Sequence, residues 1–409
     1  MPNTMHFEHI TTQRQLIDFC NEVASAPRIG FDTEFVSEDS YRPELCLIQV
    51  AAGDRLAVID PLEVDDTTPF WELLADEGHE TIVHSGREEF RFCKLAIDRR
   101  PTHLFDIQLA AGLIGMEYPA AYSSLVSKLL GKMLSKGETR TDWRRRPLSE
   151  HQLEYALQDV VHLEPARNAI YRRLEKLGRQ SWLDIEMEIW QSDIEAFEVS
   201  ERWRRVSGIA GLSARQLAIV REVWLWRDAE AERRNWPPKR VLRDDLIVEL
   251  ARRQTADPKR IRAVRGLERG DIQRHMAVIA QRVEHALALP DQECPRHAAR
   301  SSRPQLSVLG QFMTTALGSI CRAAHVAPSL VGTVDDVRDL IAYRLGMAND
   351  LNGNPPFLAT GWRAEVVGQV IDELLAGRLS VRITDPHADE PLEFMPVSSP
   401  RDSRSDSPT

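Results

Sequence analysis

The sequence predicts an α/β fold in the first half of the chain, followed by two small all-α helical-bundle blocks. Three short apolar runs separated by polar turns are typical of strands: RIGFDTEFV, ELCLIQVAAG and RLAVIDPL. Strand-like and helix-like segments then alternate up to about residue 120, which favours a mixed sheet with helices packed on it. From there to about residue 384 the apolar spacing is almost wholly helical.

The elements that follow the first three strands can be assigned in order. A helix is predicted around PFWELLAD, and TIVHSG follows it as a fourth strand. REEFRFCKLAI has helical spacing, and HLFDIQLAAGLIG is expected to be a strand end that runs into a helix. Ser149 and Gln152 have capping-box spacing, so the next helix should start near Glu150. Its apolar stripe continues through Asp159 to Leu163.

Length and local composition predict the domain organisation. The 409 residues suffice for two to four domains. We expect an α/β domain, a connecting helix, a first helical block, a linker rich in Pro, Ser and Arg, a second helical block and a disordered tail rich in Pro, Ser and charge. The predicted boundaries are 1–180, 181–208, 209–290, 291–305, 306–385 and 386–409.

Composition and charge narrow the class of protein. The net charge of −10 excludes a uniformly basic nucleic-acid-binding protein. Residues 211–290 differ, because they carry 17 Lys or Arg and 11 Asp or Glu. This excess of positive charge suits contact with phosphates, although a solvated helical surface has a similar composition. Five scattered cysteines, a start without a signal-peptide pattern and the lack of a long apolar run predict a cytoplasmic protein with no membrane partner. We also expect a monomer, although no sequence feature indicates the oligomeric state.

Acidic residues interrupt the apolar segments at four positions. Asp32 and Glu34 lie two residues apart in a predicted strand, so they face the same side. Two carboxylates held so close in an apolar setting repel each other and are costly to bury, which indicates a cation. Glu89 and Asp159 each lie on the apolar stripe of a predicted helix. Taken alone, either is equally explained as a structural acid in a salt bridge or near a helix end.

Together these acids predict a metal site. Clusters of carboxylate oxygens hold Mg²⁺ or Mn²⁺, and pairs of such ions serve phosphodiester cleavage. Tyr155, one helical turn before Asp159, would orient the attacking water. A tyrosine pKa of about 10 makes it a poor base at neutral pH.

Four segments occur in the order and spacing of ribonuclease D, a family of 3′→5′ exoribonucleases in the tyrosine subgroup of the DEDD superfamily. These segments are FDTEF, VHSGREEF, FDIQLAAGLIG and TRTDWRRRPLSEHQLEYALQDVVHL. The resemblance covers about residues 5–200 and implies a ribonuclease H-like mixed sheet flanked by helices. Residues 211–289 resemble the HRDC domain, a small helical bundle that helps hold nucleic acid in this family. Residues 306–384 look like a second, more divergent copy.

The resemblance implies a role for each residue of the predicted metal site. Asp32 would bridge two divalent cations, Mg²⁺ or Mn²⁺. Glu34 and Asp159 would complete the shell of the first ion, and Tyr155 would position the attacking water. The family usually carries aspartate where this chain has Glu89. Its longer side chain would still serve the second ion, so we expect activity to be retained.

Four further residues are candidate contacts to the substrate. Phe35 would pack on the 3′-terminal nucleotide, although the protein core is a common place for phenylalanine. Arg144 would line the substrate path or face solvent, and its planar guanidinium suits phosphates. Lys239 and Arg240 belong to the cationic turn PPKRVLRDD and are the best phosphate-contact candidates in the first helical block.

Several other chemically suggestive residues are expected to be structural. Asp106 should cap a helix, and His84 should make a structural hydrogen bond. The tryptophans of the first helical block should pack in its core rather than stack on bases. These are Trp224, Trp226 and Trp236.

The combined prediction is a metal-dependent 3′→5′ exoribonuclease that releases nucleoside 5′-monophosphates. Its partner would be structured RNA with a single-stranded 3′ end, with tRNA precursors as the class that the resemblance implies. A DNA exonuclease is one alternative, because nothing in the sequence tests for contact with a 2′-hydroxyl group. A non-catalytic RNA-binding protein is another, because of the altered acid Glu89. The chain has no Walker-type glycine loop, which excludes an ATP-driven helicase.

Overall fold

A mixed six-stranded sheet and its helices form the N-terminal part of the chain. The computed structural model describes residues 6–134, 141–199, 202–267, 270–297, 304–347, 355–388 and 390–397. The elements of the α/β domain are β1 (Glu8–Ile10), α1 (Gln13–Val23), β2 (Arg28–Val36), β3 (Glu44–Ala52), β4 (Arg55–Ile59), α2 (Thr68–Ala75), β5 (Glu80–Val83), α3 (Arg87–Ile97), β6 (Leu104–Asp106), α4 (Ile107–Gly112), α5 (Tyr122–Leu130), α6 (Glu150–Gln158) and α7 (Leu163–Leu177).

The predicted elements from β2 to α4 are confirmed, with two differences elsewhere in the domain. The sequence reading missed β1, which has only three residues, and α1, although Thr12 and Gln15 form a capping box there. The helix predicted from Glu150 to Leu163 is wrong in its second half. It ends at Gln158, with Asp159 as its C-cap, and α7 begins only at Leu163.

The sheet places β2 at its centre. The strand order is β1-β4-β3-β2-β5-β6. β2 runs antiparallel to β3 and parallel to β5, so the sheet is mixed, as predicted. β5 pairs with β2 only over Arg28–Gly30, and the end of β2 that carries Asp32, Thr33 and Glu34 is paired with β3 alone.

Different helices cover the two faces of β2. Phe31 lies on one face, where its ring centroid is 5.7 Å from that of Phe70 in α2. On the other face the backbone of Gly30 approaches α7, since a Cβ atom at this position would lie 3.2 Å from Leu163. Side chains alternate along a strand. The two acids of β2 therefore lie on the face that α7 covers.

Helices form most of the remaining chain. α8 (Gln180–Val199) and a 3₁₀ turn (Arg202–Arg205) lead into the first helical block. That block contains α9 (Ala214–Arg234), α10 (Pro238–Val241), α11 (Asp244–Arg253), α12 (Pro258–Arg262), α13 (Gly270–Gln273) and α14 (Met276–Ala288), followed by a 3₁₀ turn (Asp291–Glu293). The second helical block contains α15 (Pro304–Ala323), α16 (Pro328–Val331), α17 (Val334–Arg344), a 3₁₀ turn (Phe357–Ala359), α18 (Gly361–Arg363), a π-helical turn (Ala364–Gly368), α19 (Gln369–Leu375), β7 (Leu379–Ile383) and β8 (Leu392–Pro396).

The C-terminal end of the chain corrects two predictions. The second helical block is not all-α, because β7 forms an antiparallel hairpin with β8. The prediction of a disordered tail over 386–409 is wrong for Leu392–Pro396, which is β8. Residues 398–409 of that predicted tail lie outside the described residues.

The two helical blocks differ in how their cores are built. The first has its own apolar core, with Trp224 and Trp226 each 8% exposed, as predicted for these residues. The described residues of the second block form no core separate from that of the α/β domain. Its buried side chains, such as Ile320 and Trp362, belong to one continuous cluster with those of the sheet.

The first helical block contacts the α/β domain through the loop between β2 and β3. The hydroxyl group of Tyr41 donates a hydrogen bond of 2.9 Å to Asp228. The backbone N–H groups of Tyr41 and Arg42 both donate to Oδ1 of Asn235, at 3.2 Å. This loop directly continues the strand that carries two of the predicted site acids. In the part of the chain that the structure describes, no helix has the length and apolar character that crossing a membrane requires.

Candidate active site

Strand β2 and helix α3 position three of the predicted acids. Asp32 and Glu34 are half-buried in β2. Glu89 lies in the first turn of α3 and is only 5% exposed. Between the two strand acids, Thr33 faces α3, and its Oγ1 donates a hydrogen bond of 2.6 Å to Oε1 of Glu89. The start of α3 is thus tied directly to β2.

Asp106 fixes the turn that leads into α3. Its carboxylate accepts hydrogen bonds from the backbone N–H groups of Ser85 (3.1 Å), Gly86 (3.0 Å) and Gln108 (2.8 Å). The bond from Gln108 caps α4, which confirms the predicted capping role of Asp106. The other two bonds hold the β5–α3 turn, where Ser85 has a left-handed φ of 56°. Asp106 therefore sets where Glu89 enters the site.

Helix α6 supplies the remaining two site residues. Its N-terminus has the predicted capping box between Ser149 and Gln152. Tyr155 lies in the middle of the helix, and Asp159 is the C-cap residue. Both side chains are half-buried.

The structure brings the four acids into one electrostatic group, which we call the carboxylate cluster: Asp32, Glu34, Glu89 and Asp159. Burial, and then repulsion from Glu89, Asp159 and Glu34, raises the pKa of Asp32 well above its ordinary range. Burial and then Asp159 and Glu89 raise the pKa of Glu34 to about 8. Burial raises the pKa of Glu89 to about 7 and that of Asp159 to about 6.

The carboxylate cluster fits divalent cations by its chemistry. Its four side chains offer only carboxylate oxygens as ligands, which Mg²⁺ and Mn²⁺ prefer. A cation between them would also offset the repulsion that, after burial, contributes to the raised pKa values of Asp32 and Glu34. As the side chains stand, no three acidic, histidine or cysteine residues among those described form a ready metal-binding group. Bound ions would therefore take further oxygen ligands from water or from a substrate phosphate.

Two tyrosines border the carboxylate cluster. Burial, followed by Asp159, Glu34 and Asp32, raises the pKa of Tyr155, so its phenol keeps its proton at neutral pH. A protonated phenol is a poor base, and the role of Tyr155 in orienting water stays a prediction. The pKa of Tyr122, in α5, is also raised by burial and by Asp159 and Asp32. Tyr122 was not predicted as a site residue, because its segment carries no motif. Only the fold places it beside the carboxylate cluster.

Two of the four candidate substrate contacts lie in the α/β domain. Phe35 makes an edge-to-face contact with Phe92, with 5.6 Å between the ring centroids, so it packs as a core residue does. Arg144 makes ion pairs with Asp142 (2.9 Å) and Asp39 (3.1 Å). Its guanidinium is therefore held near the end of β2 by two exposed carboxylates rather than facing solvent alone.

The other two candidates lie on α10, outside the α/β domain. The side chains of Lys239 and Arg240 are exposed, and the guanidinium carbon of Arg240 lies 4.4 Å from the ring centroid of Trp236. Both line a cavity of about 520 Å³, together with Arg243 and Arg265. The structure thus places these cations around one concave surface.

Lys239 also lines a second cavity, of about 500 Å³, between the first helical block and α3. The cations around this cavity include Arg91 from α3 and Arg202 from the 3₁₀ turn.

His84, by contrast, has the structural role that was predicted. Its Nε2 lies 2.9 Å from the carbonyl oxygen of Ala120.

Comparisons with known proteins agree with this architecture. A 3′-5′ exonuclease domain model matches residues 7–176, and an HRDC domain model matches residues 216–283. The ribonuclease D of Granulibacter bethesdensis is 32% identical over 367 residues, which cover 88% of this chain and 90% of that protein. The ribonuclease D of Sphingobium indicum is 34% identical over 387 residues, covering 91% of this chain and 96% of its own.

A solved structure extends the similarity to three dimensions. The crystal structure of Escherichia coli RNase D, an exoribonuclease involved in structured RNA processing, superposes with a TM-score of 0.77 and 28% identity. The match covers 91% of this chain and 99% of that one. It therefore includes the sheet and most of the helical part.

Proposed function

Because this chain belongs to the ribonuclease D family, we propose that its substrates are structured RNAs with single-stranded 3′ ends, such as tRNA precursors. The chain is a 3′→5′ exoribonuclease, of a family that generally depends on divalent metal ions. The observation that supports the catalytic site is the carboxylate cluster, in which burial and then repulsion between the acids raise the pKa values of Asp32 and Glu34. The protein would act as a monomer in the cytoplasm, a compartment that suits its five unpaired, buried cysteines.

The proposed site holds two divalent cations, Mg²⁺ or Mn²⁺. Asp32, Glu34, Glu89 and Asp159 would supply the carboxylate oxygens that hold them. When bound, the ions would supply an activated water molecule and neutralise charge on the leaving oxygen. Tyr155 keeps its proton and orients the water by a hydrogen bond. Hydrolysis of the terminal phosphodiester bond would release a nucleoside 5′-monophosphate.

We propose that the RNA reaches this site along the two basic cavities. They share Lys239, and together eight cations and three carboxylates line them, a net charge of +5. The whole chain has a net charge of −10, so this surface stands out as the part that attracts phosphates. Lys239 and Arg240 would contact the backbone, and Arg144 and the exposed part of the half-buried Phe35 would lie nearer the 3′ end.

The catalytic proposal is tested by trimming of matched RNA and DNA oligonucleotides with Mg²⁺ or Mn²⁺. The wild type should shorten the RNA from its 3′ end, and Asp159→Ala should not. Asp65→Ala, which removes an exposed acid away from the cluster, is the matched control and should behave as wild type. DNA trimming without RNA trimming would reverse the substrate assignment. No trimming of either would leave only RNA binding.

The RNA path is tested separately by binding to the inactive Asp159→Ala protein. Adding Lys239→Glu and Arg240→Glu should weaken binding of an RNA with a single-stranded 3′ end. It should also reduce the salt dependence, by about 0.7 in the logarithmic slope for each lost phosphate contact. A matched pair on the same block, Arg252→Glu with Lys259→Glu, reverses equal charge at exposed positions. Equal losses in both pairs would argue for a general charge effect and against the path.

A further inference from the structure

We propose that Thr33 is a positioning residue, whose hydroxyl group holds the Glu89 side chain in the orientation that metal binding needs. This inference rests on the proposed two-cation site. The inference goes beyond that site, because Thr33 is not itself a ligand and lies on the opposite face of β2 from Asp32 and Glu34.

The geometry supports a direct and buried connection. Thr33 is 6% exposed and Glu89 is 5% exposed, so water cannot compete freely for either side chain. The distance of 2.6 Å between Oγ1 and Oε1 is that of a short hydrogen bond to a carboxylate. This bond occupies Oε1, which leaves Oε2 as the oxygen that can serve a cation.

Glu89 needs such a constraint because its side chain is long. A glutamate has one more rotatable bond than an aspartate, and each freely rotating bond adds conformers that place the carboxylate elsewhere. Thr33 is well suited to remove this freedom. It is β-branched, and therefore stiff about χ1, and the pairing of β2 with β3 holds it opposite Ile48.

Strand β2 therefore has two functions on its two faces. One face carries Asp32 and Glu34 as ligands. The other holds the ligand that α3 supplies. Thr33 joins these functions, because its hydrogen bond ties Glu89 to the strand that carries its two sequence neighbours.

The test is a titration of the full-length protein with Mn²⁺ alone. Binding is monitored by calorimetry or by the electron paramagnetic resonance signal of free Mn²⁺. Thr33→Val removes the hydroxyl group and keeps the shape, and Thr33→Ser keeps the hydroxyl group and loses a methyl. We expect Thr33→Val to weaken Mn²⁺ binding about 10- to 100-fold, as loss of an outer-shell partner does. Thr33→Ser should stay close to wild type.

A double-mutant comparison separates positioning from packing. Glu89→Asp shortens the side chain so that it no longer reaches the threonine in the same way, and Thr33→Val should therefore change little in that background. An equal loss in both backgrounds, or a larger loss in Thr33→Ser than in Thr33→Val, would overturn the inference. Should Thr33→Val fail to fold, Thr33→Ala provides the same comparison. A wild type that binds no Mn²⁺ would instead contradict the proposed two-cation site.

Discussion

At the scale of single residues, the carboxylate cluster combines burial with like charge. Both effects disfavour the ionised forms, and both would be relieved by bound cations. In the metal-free protein the folded state should therefore hold more protons than the unfolded state. This makes the stability of the protein depend on pH and on metal ions together.

The first prediction concerns that pH dependence. The folded-state pKa values of about 6 for Asp159, about 7 for Glu89 and about 8 for Glu34 all exceed the ordinary values of about 4. Their stabilising contribution is complete below about pH 4 and is lost as the pH rises through the folded-state values. In the presence of a chelator, the melting temperature should therefore decrease as the pH is raised from about 5 to about 8. Saturating Mn²⁺ should reduce this decrease. The same slope with and without Mn²⁺ would contradict it.

The second prediction concerns Tyr155. If its hydroxyl group orients the attacking water, Tyr155→Phe should lower single-turnover trimming by about 10²-fold, as loss of one active-site hydrogen bond does. RNA affinity should stay unchanged. Tyr171→Phe is the matched control, because Tyr171 stacks 4.1 Å from the guanidinium carbon of Arg167, away from the carboxylate cluster. A loss of RNA affinity without a slower chemical step would assign Tyr155 to substrate binding instead.

At the scale of elements, the turn between β5 and α3 determines where Glu89 lies. Asp106 is 2% exposed and accepts three backbone hydrogen bonds around this turn and the start of α4. Gly86 has no room for a side chain, since a Cβ atom there would lie 2.4 Å from Val83. The turn is thus specified from two sides, by hydrogen bonds and by packing.

The third prediction follows from that turn. Asp106→Ala leaves buried N–H groups without acceptors, so it should lower the free energy of unfolding by about 2–4 kcal/mol and also weaken Mn²⁺ binding through displacement of Glu89. Asp257→Ala removes a cap from the exposed helix α12, where one bond of 2.9 Å is lost, and should cost about 1 kcal/mol. Urea unfolding measures both. Equal effects of the two substitutions would contradict the special role of the turn.

The elements also show what the sequence could predict and what it could not. Strand alternation paired Asp32 with Glu34, and the capping pattern at Ser149 placed the start of α6, because both signals are local. The end of α6 at Gln158 was not predictable, since no glycine or proline follows before Leu163. The contact between Thr33 and Glu89 joins residues 56 apart in the chain, so only the sheet and helix arrangement reveals it.

At the scale of the whole molecule, the two helical blocks are attached in different ways. The second block is joined to the α/β domain by hydrogen bonds as well as by the shared core. Arg179, just before α8, donates to the carbonyl oxygens of Leu113 (2.6 Å) and His325 (2.7 Å). Glu186 in α8 binds Arg363 and also accepts from Nε1 of Trp362 at 2.8 Å. Helical spacing predicts an apolar face but not what covers it, so the sequence did not reveal this joint core.

The fourth prediction tests that attachment. Glu186 and Arg363 are each 5% exposed or less, so Arg363→Met should leave a buried charge and cost about 3–5 kcal/mol. Adding Glu186→Gln should recover part of this loss. Arg344→Ala breaks a half-exposed pair with Asp372 in the same block and should cost at most about 1 kcal/mol. Similar losses for Arg363→Met and Arg344→Ala would show that the buried pair is not what joins the block.

The shared core also constrains how the gene can be shortened. A premature stop codon before α15 would not release a smaller working nuclease, because it would strip the flank formed by α4 and α8 of its apolar cover. The apolar surface exposed in this way would make the product prone to aggregation. An in-frame excision of the first helical block alone would leave that flank covered.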